Sequence, residues 1–301
     1  FAGSVHADER IPACDVLLRN GTIHDGSGQA PIVGDVAIKG DRIVAVGKFK
    51  VRRAGIDIDC TGLVVSPGFI DLHNHSDDQV RAPNTRSNMN YLMQGCTTVV
   101  TGHCGAGPIH VKKYYDEIDA AGAGTNVAHL LPQGGLRQQV LATANRAATP
   151  EELDEMRKLT RTAMLEGAWG MSTGLIYVPS SYANTDEIVE LAKVVGEFHG
   201  IYASHIRGEG ETLLASVREA LDVGQRAKLA VQISHFKATG RANWGLTKPA
   251  IKLIEAARAA GRIVNADQYP YVASSTSLDA FLLPTWARAG GHKQLMTRLQ
   301  D

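Results

Sequence analysis

The sequence has few cysteines and no Cys-x-x-Cys pair. Its 301 residues include four cysteines, which are Cys14, Cys60, Cys96 and Cys104. This number is too small for the disulfide framework of a small secreted domain, and the spacing matches no Cys-x-x-Cys redox or zinc motif. Any function of a cysteine must therefore come from its combination with residues elsewhere in the chain.

The sequence also lacks a net charge and a long apolar run. Lys and Arg number 31 and Asp and Glu number 31, so the formal net charge is zero. Without a basic excess we expect no nucleic-acid partner. The longest apolar stretches, such as residues 63–65 and 97–100, are far shorter than the roughly 18 to 20 residues of a membrane-spanning helix. We therefore expect no membrane span.

The amino terminus has two interpretations. The chain begins with Phe1 instead of Met, and the small residues Val5 and Ala7 stand two apart, as they do before a signal-peptidase cleavage site. We interpret residues 1–13 as an export-signal remnant or a disordered tail, which predicts a periplasmic or secreted protein. The alternative is a trimmed gene-fragment boundary, which predicts a cytoplasmic one.

Two patterns divide the remaining chain. Residues 14–62 are short alternating runs separated by turn signals such as Asn20-Gly21 and Asp25-Gly26, which predict a small antiparallel, β-sandwich-like domain. From residue 63 onward apolar runs alternate with amphipathic helices. The strand candidates are residues 63–75, 97–104, 126–131, 169–177, 201–205, 229–235 and 263–269.

The helices between these strands have clear signals. Thr149 and Glu152 form a capping box around Pro150, and residues 211–227 and 247–260 have helical periodicity. Strands and helices that alternate in this way predict an α/β fold, a (β/α)8-type TIM barrel over residues 63–301 with seven strands visible and the eighth missing. A doubly wound open sheet is the alternative, but no Gly-x-Gly-x-x-Gly loop follows a strand.

Two strand candidates end in the same way. Ser204-His205 and Ser234-His235 lie thirty residues apart, and a cation follows each histidine two positions later. Neighbouring parallel strands bring their carboxyl ends to one edge, so the two imidazoles can share a metal ion. A single histidine in this position would be interpreted as a core residue that bonds to nearby backbone.

The first two strand candidates add further ligand types at the same edge. His73 and His75 follow Asp71 at intervals of two, so strand alternation predicts that all three point the same way and that Asn74 points opposite. Cys104 ends the second strand candidate. A soft thiolate beside imidazoles favours zinc over magnesium or calcium.

Several segments resemble the amidohydrolase superfamily, specifically its N-acyl-D-amino-acid deacylases. They are residues 19–22 (Arg-Asn-Gly-Thr), 40–43 (Gly-Asp-Arg-Ile), 66–75 (Ser-Pro-Gly-Phe-Ile-Asp-Leu-His-Asn-His) and 170–177 (Gly-Met-Ser-Thr-Gly-Leu-Ile-Tyr). The similarity runs from about Asp15 to the end of the chain. Its discriminating features are Cys104 within Thr-Gly-x-Cys-Gly and the Tyr-Pro-Tyr segment at 269–271. Hydantoinase relatives use a carboxylated lysine as the metal bridge, and no lysine stands near the strand candidate that ends at Tyr177.

The resemblance implies a role for individual residues. It implies that Cys104, His205 and His235 hold a tightly bound Zn²⁺, that His73 and His75 belong to a second, weaker metal position, and that Tyr177, Lys237, Tyr269 and Ser275 bind the substrate. Lys237 has a rationale of its own, because an ammonium beside the metal edge is a natural partner for a carboxylate. Two residues depart from the family pattern: His103 stands where Asn is common and is a possible off-site ligand, and Cys96, where Val is usual, is expected to be buried.

The reaction implied is the hydrolysis of an N-acyl-D-amino acid, a small-molecule substrate, to a carboxylate and a D-amino acid. The alternatives are a cyclic-amide hydrolase such as a dihydroorotase or hydantoinase, a deaminase, or an inactive truncated fragment. In the family the general base is an Asp that ends the eighth strand, and the chain stops at Asp301 before such a strand. We therefore expect no catalytic residue within this chain, and we do not assign Asp267 to the role because it is predicted to lie inside the seventh strand.

Overall fold

A computed structural model describes residues 10–11 and 13–300, in two units that divide after Phe69. The predicted domain boundary at residue 62 lies a few residues earlier. Of the predicted signal remnant or tail, residues 1–9 and 12 lie outside the described residues, and Arg10–Ile11 forms a short parallel pair with Lys50–Val51.

The first unit is built on a mixed β-sheet. Its strands are, in spatial order, Arg42–Gly47, Ile32–Lys39, Cys14–Ile23 and Ala54–Asp59, and Val64–Val65 also pairs with Cys14–Ile23. The first three strands are antiparallel, but the last two run parallel to Cys14–Ile23, so the prediction of an antiparallel sheet is wrong there. The reason is that residues 48–53 form a crossover connection. They carry the chain back to the level at which Arg42–Gly47 began, so that Ala54–Asp59 runs in the same direction as Cys14–Ile23.

The second unit contains parallel strands in chain order. We number them β1 (Phe69–Asp71), β2 (Cys96–Thr101), β3 (Asn126–His129, resumed at Leu131–Pro132), β4 (Gly170–Gly174), β5 (Ile201–His205), β6 (Ala230–Ile233) and β7 (Val264–Ala266). Each pairs with its neighbours in sequence, apart from the break in β3 at Leu130. This order is the one that the strands of a (β/α) barrel have, and the prediction of seven parallel strands is confirmed. Among the described residues, no ladder joins β1 to β7.

Helices alternate with these strands and cover them. The α-helices are Met89–Leu92, Val111–Ala121, Gln133–Leu141, Pro150–Leu165, Thr185–Glu197, Leu213–Ala227, Thr247–Ala259, Leu278–Leu282 and Gly291–Arg298. The predicted capping box is present, since Thr149 accepts from the backbone N–H of Glu152 and the Glu152 side chain accepts from that of Thr149. The core lies between helices and sheet and includes the fully buried Met171, Ile188 and Tyr202. No helix within residues 10–11 and 13–300 has the length and apolarity needed to cross a membrane.

Five strands end earlier than predicted. The observed and predicted ends are Asp71 instead of His75 for β1, Thr101 instead of Cys104 for β2, Gly174 instead of Tyr177 for β4, Ile233 instead of His235 for β6, and Ala266 instead of Tyr269 for β7. Gly102 terminates β2 because its φ of 77° is left-handed. Of the residues predicted to do chemistry, His205 is the last residue of β5. The others lie beyond the strand ends, where their side chains are not held to the alternation of a sheet.

Candidate metal centre

The five predicted ligands come together at the carboxyl edge of the strands. His75 Nε2 lies 3.3 Å from His73 Nε2, and Cys104 Sγ lies 3.6 Å from His73 Nε2. On the other side, Cys104 Sγ is 3.9 Å from His235 Nε2, which is 2.8 Å from His205 Nδ1. The donor atoms thus form a continuous series from His75, which is exposed, to His205, which is buried.

The spacing of these donors fits a tetrahedral cation with sulfur and nitrogen ligands. Zinc bonds of about 2.0–2.1 Å to nitrogen and about 2.3 Å to sulfur place two nitrogens about 3.3 Å apart and a nitrogen and a sulfur about 3.6 Å apart. The distances from His73 to His75 and to Cys104 have these values. In addition, His205 Nε2 is buried and has no hydrogen-bond partner among the described residues. The set of side chains therefore suits zinc.

The grouping differs in one respect from the triad that the resemblance implies. Two sets of three side chains have donor atoms within 4.8 Å of one another: His73, Cys104 and His235, and His205, Glu209 and His235. The triad of Cys104, His205 and His235 is not one of them. His235 belongs to both sets and connects Cys104 with His205.

The backbone around Cys104 explains why this segment is rich in glycine. Cys104 has a left-handed φ of 55°, and Gly102 and Gly105 have φ of 77° and 70°. A Cβ atom at Gly102 would lie 2.0 Å from the carbonyl oxygen of Leu130, so no larger residue fits. The Gly105 N–H donates to Ser172 Oγ at 3.0 Å, and that hydroxyl donates to the Gly102 carbonyl. These contacts hold the thiol toward the histidines.

His73 and His75 reach the site by a bend. Their ring nitrogens converge as predicted, but strand alternation is the wrong reason, because both residues lie beyond the end of β1. The prediction that Asn74 points away from Asp71 is also wrong, since Asn74 Nδ2 donates to Asp71 Oδ2 at 3.1 Å. Its Oδ1 accepts from the Ser76 N–H at 2.7 Å, so the bend is closed by its own side chains.

Asp267 holds two of the candidate ligands. It follows β7 directly instead of lying inside it, and its Oδ1 accepts from His73 Nδ1 at 3.0 Å and from the backbone N–H of His235 at 2.6 Å. Gln232 donates to Oδ2 at 2.8 Å. Burial opposes the charge, but the hydrogen bond and the proximity of His73, together with these amides, lower the pKa of Asp267 to about 2. The side chain is an ionised acceptor that leaves His73 Nε2 free to face Cys104.

Glu209 has the same relation to His235. Its Oε1 lies 2.9 Å from His235 Nδ1 and 2.6 Å from Lys237 Nζ. Burial again opposes the charge, and the hydrogen bond to His235 outweighs it with the help of Lys237, so the pKa of Glu209 is lowered. Lys237 Nζ also donates to the His235 carbonyl at 3.1 Å. The predicted substrate-binding lysine is therefore already ion-paired next to the candidate metal.

The ionisation of the buried donors can be stated for the metal-free protein. Burial, followed by the proximity of the His235 ring, lowers the pKa of His205 to about 3. Burial, followed by the charges of Asp267 and Glu209, raises the pKa of the Cys104 thiol to about 12. Near neutral pH the imidazole is therefore ready to bind a cation, whereas the thiol has a proton to lose.

His103 and Cys96, the two departures from the family pattern, lie differently. The His103 ring is buried and stacks on His73, with centroids 4.2 Å apart and planes at 15°, and neither of its ring nitrogens has a hydrogen-bond partner among the described residues. It supports a candidate ligand by packing. Cys96 begins β2 and is only half-buried, so its predicted burial is incomplete.

Three of the four predicted substrate-binding residues adjoin these donors. The Tyr177 ring contacts His205 edge-on at a centroid distance of 5.0 Å. Lys237 Nζ lies 5.5 Å from the centroid of the Tyr269 ring, whose hydroxyl is buried without a hydrogen-bond partner among the described residues. Ser275 is exposed, and the contact to the Tyr177 hydroxyl, at 2.9 Å, comes from Thr276 instead.

The positions of Asp267 and Glu209 in the sequence indicate that both lie near the site, although neither is among the predicted site residues. Asp267 follows an apolar strand. The carboxyl ends of parallel strands share one edge, so a strand that ends at Ala266 predicts that Asp267 lies beside His235. Glu209 stands four residues after His205 in the loop beyond β5, where an acidic residue faces the same edge. Thr276 had no comparable signal.

Comparisons with known proteins agree with the fold. A model of the amidohydrolase family matches residues 58–274. A D-aminoacylase from Alcaligenes xylosoxydans xylosoxydans is 38% identical over 287 residues, which are 88% of this chain and 59% of that protein.

Two solved structures are similar over most of the chain. One is a D-aminoacylase studied for its binuclear metal centre, with a TM-score of 0.80 and 35% identity over 86% of this chain and 59% of that one. The other is an N-acyl-D-glutamate deacylase from Bordetella bronchiseptica, complexed with zinc and a phosphonate that mimics the tetrahedral reaction intermediate. Its TM-score is 0.81 at 31% identity, over 86% of this chain and 59% of that one. The chain thus spans about three fifths of the length of these relatives.

Proposed function

Because this chain belongs to the amidohydrolase family, we propose that it serves the zinc-dependent hydrolysis of N-acyl-D-amino acids to a carboxylate and a free D-amino acid. The observation that carries this proposal is the approach of His235 Nε2 to both Cys104 Sγ and His205 Nδ1, with a lysine, Lys237, beside the His235 ring. The relatives named above, a D-aminoacylase and an N-acyl-D-glutamate deacylase, support the choice of substrate class.

We assign the metal to the residues whose chemistry suits it. Cys104, His205 and His235 would hold a tightly bound zinc ion, and His73 and His75 would complete a second, weaker position. Zinc in such a site would supply Lewis acidity toward the acyl carbonyl and would lower the pKa of a bound water toward about 7. The protein contributes imidazoles, a thiol, and the carboxylates that orient the rings.

Substrate orientation is the task of the residues around Lys237. A substrate carboxylate accepts from the Lys237 ammonium, and the Tyr177 hydroxyl is a second donor once it leaves Thr276. With the carboxylate held there and the acyl carbonyl at the metal, the side chain of the substrate has one allowed direction, so the site can distinguish a D from an L centre. The ring of Tyr269 covers the lysine on one side.

Neither carboxylate that reaches the site is assigned as general base. Asp267 accepts from three donors and Glu209 from Lys237 and His235, so each is engaged in holding other side chains. The resemblance implies an Asp at the end of an eighth strand for this role.

The proposal is tested with a purified protein that contains residues 1–301 together with an eighth strand that supplies the Asp implied by the resemblance. We expect bound zinc, hydrolysis of N-acetyl-D-methionine, and no hydrolysis of its L enantiomer. His205→Ala should lose both zinc and activity, whereas His292→Ala, an exposed histidine on Gly291–Arg298, should keep both. Turnover of hydantoin or dihydroorotate without turnover of acyl amino acids would contradict the proposal.

A further inference from the structure

We propose that Glu209 is a positioning residue that orients the ring of His235 for metal binding and, through the same carboxylate oxygen, links that ring to Lys237. This inference rests on the proposed function, because it takes His235 as a ligand and Lys237 as the partner of the substrate carboxylate. It assigns a role to a loop residue that motif analysis passed over.

The two nitrogens of His235 face different neighbours. Nε2 lies 3.9 Å from Cys104 Sγ and 2.8 Å from His205 Nδ1, whereas Nδ1 lies 2.9 Å from Glu209 Oε1. Glu209 therefore approaches the side of the ring that is turned away from the candidate metal. A carboxylate in that position accepts the Nδ1 proton, fixes the tautomer, and leaves the Nε2 lone pair for the cation.

This geometry argues against Glu209 as a ligand itself. The grouping of His205, Glu209 and His235 within 4.8 Å allows a cation among them. However, a cation bound to Glu209 and to His235 Nδ1 would lie across the ring from Cys104, and the thiol could not join it. The hydrogen bond from Nδ1 accounts for the proximity of Glu209 without a second cation.

Lys237 connects the candidate metal ligand His235 with the subsite proposed for the substrate carboxylate. Its Nζ lies 2.6 Å from the oxygen of Glu209 that faces His235 and 3.1 Å from His235 Nδ1. A substrate carboxylate that binds the ammonium competes with Glu209 for it, and Glu209 then has one donor fewer besides His235. Occupation of the substrate subsite thus acts on the hydrogen bond that orients a metal ligand.

The same device occurs on the other side of Cys104. Asp267 accepts from His73 Nδ1 at 3.0 Å, and His73 Nε2 lies 3.6 Å from the sulfur. Each of the two imidazoles next to the thiol therefore has a half-buried carboxylate behind it. Only the carboxylate behind His235 also bonds a lysine.

The test measures zinc affinity by chelator competition, in the purified protein, for Glu209→Ala, Glu209→Gln, Lys237→Met and the double variant Glu209→Ala/Lys237→Met. We expect Glu209→Ala to weaken zinc binding about 10- to 100-fold, and to do so in the Lys237→Met background as well. Glu209→Gln should recover most of the loss, because the amide oxygen still accepts from Nδ1. Glu211→Ala, an exposed glutamate two residues along the same loop, is the matched control.

Two results would overturn the inference. One is a zinc affinity of Glu209→Ala within threefold of the wild type. The other is a loss that vanishes once Lys237 is Met, since Glu209 would then act only by balancing the lysine charge. If Glu209→Ala does not fold, Glu209→Met decides, because it keeps a long side chain but has no oxygen that accepts from Nδ1: a loss of zinc affinity with unchanged secondary structure supports the role, and an affinity within threefold of the wild type refutes it.

Failure of the proposed function gives a different pattern. A wild-type protein that binds no zinc, or that binds zinc and hydrolyses no acyl amino acid, contradicts the function. In the second case the zinc affinities of the Glu209 variants still decide the role of that residue. Where hydrolysis is observed, Glu209→Ala should also change KM and kcat together, since it affects the subsite and the ligand.

Discussion

Asp267 gives the sharpest test of the site, because one side chain holds two candidate ligands. Asp267→Asn keeps the shape of the side chain and an oxygen that accepts hydrogen bonds, but it removes the charge. The affected contacts are those of Oδ1 with His73 Nδ1, at 3.0 Å, and with the His235 N–H, at 2.6 Å. The amide of Gln232 can turn over to match the new side chain, so its contact is not counted.

The expected loss follows from these two bonds. Hydrogen bonds to a charged group contribute about 1.5–3 kcal/mol and those between neutral groups about 0.5–1.5 kcal/mol. Each bond to Oδ1 therefore weakens by about 1 kcal/mol, and about 2 kcal/mol in total corresponds to about a 30-fold loss of zinc affinity. That value lies within the 10- to 100-fold range typical of residues that orient metal ligands.

The assay is chelator competition for zinc, with circular dichroism to confirm that the variant folds. Asp116→Asn is the control, since Asp116 is exposed on the helix Val111–Ala121 and its carboxylate accepts from Lys112, far from the candidate ligands in the sequence. A zinc affinity of Asp267→Asn equal to that of the control would refute the argument, because it would mean that neither imidazole depends on the carboxylate for its orientation.

Three further outcomes are expected. Lys237→Met should raise KM for N-acetyl-D-methionine about 10- to 100-fold, measured by steady-state kinetics, and an unchanged KM would remove this lysine from the substrate site. Burial lowers the pKa of His129 to about 4, so as the pH falls the unfolded chain binds a proton at this residue before the folded chain does. The free energy of unfolding of the zinc-free protein, measured in urea, should therefore fall by about 2 kcal/mol between pH 7.5 and 5 because of this residue. The variant His129→Gln should not show this part of the decrease. Gly102→Ala should lower the free energy of unfolding by about 3 kcal/mol or more, because its Cβ would lie 2.0 Å from the Leu130 oxygen. Gly122→Ala, with φ of 78° and no atom within 4 Å, measures the backbone strain alone and should cost about 1 kcal/mol. Equal losses for the two variants in urea unfolding would refute the predicted clash.

The strands and helices could be predicted because their signals are local. Thr149, Pro150 and Glu152 identify the start of a helix from four consecutive positions, and the structure has the capping box there. The repeated Ser-His endings predict that His205 and His235 lie at the ends of neighbouring strands, and the structure pairs these strands in parallel. Ser204 lies opposite Ile233, one residue away from the register that equal endings would give. Parallel pairing in chain order then follows from the alternation of strands and helices.

Strand ends and chain crossings could not be predicted from the same patterns. An apolar run does not show where a ladder stops, so Asp267 was placed inside a strand although Ala266 is the last strand residue. The direction of Ala54–Asp59 depends on which edge of Cys14–Ile23 is unpaired, which is a property of the assembled sheet. Turn residues between strands predict a hairpin, and here the chain crosses instead.

The chemistry of the site depends on contacts that no spacing in the sequence records. The ligand types were predictable because strand ends gather at one edge, but the two carboxylates lie 194 residues from His73 in one case and 26 residues from His235 in the other. Both sit on the side of the ring away from the candidate cation, where they are needed to orient an imidazole. A motif search finds the residues that bind a metal directly, whereas a residue that orients such a ligand only has to place an acceptor atom at the right distance from it. That requirement can be met from any loop at the same edge, so these residues are found by geometry, and their role is decided by the zinc affinities of Asp267→Asn and Glu209→Ala.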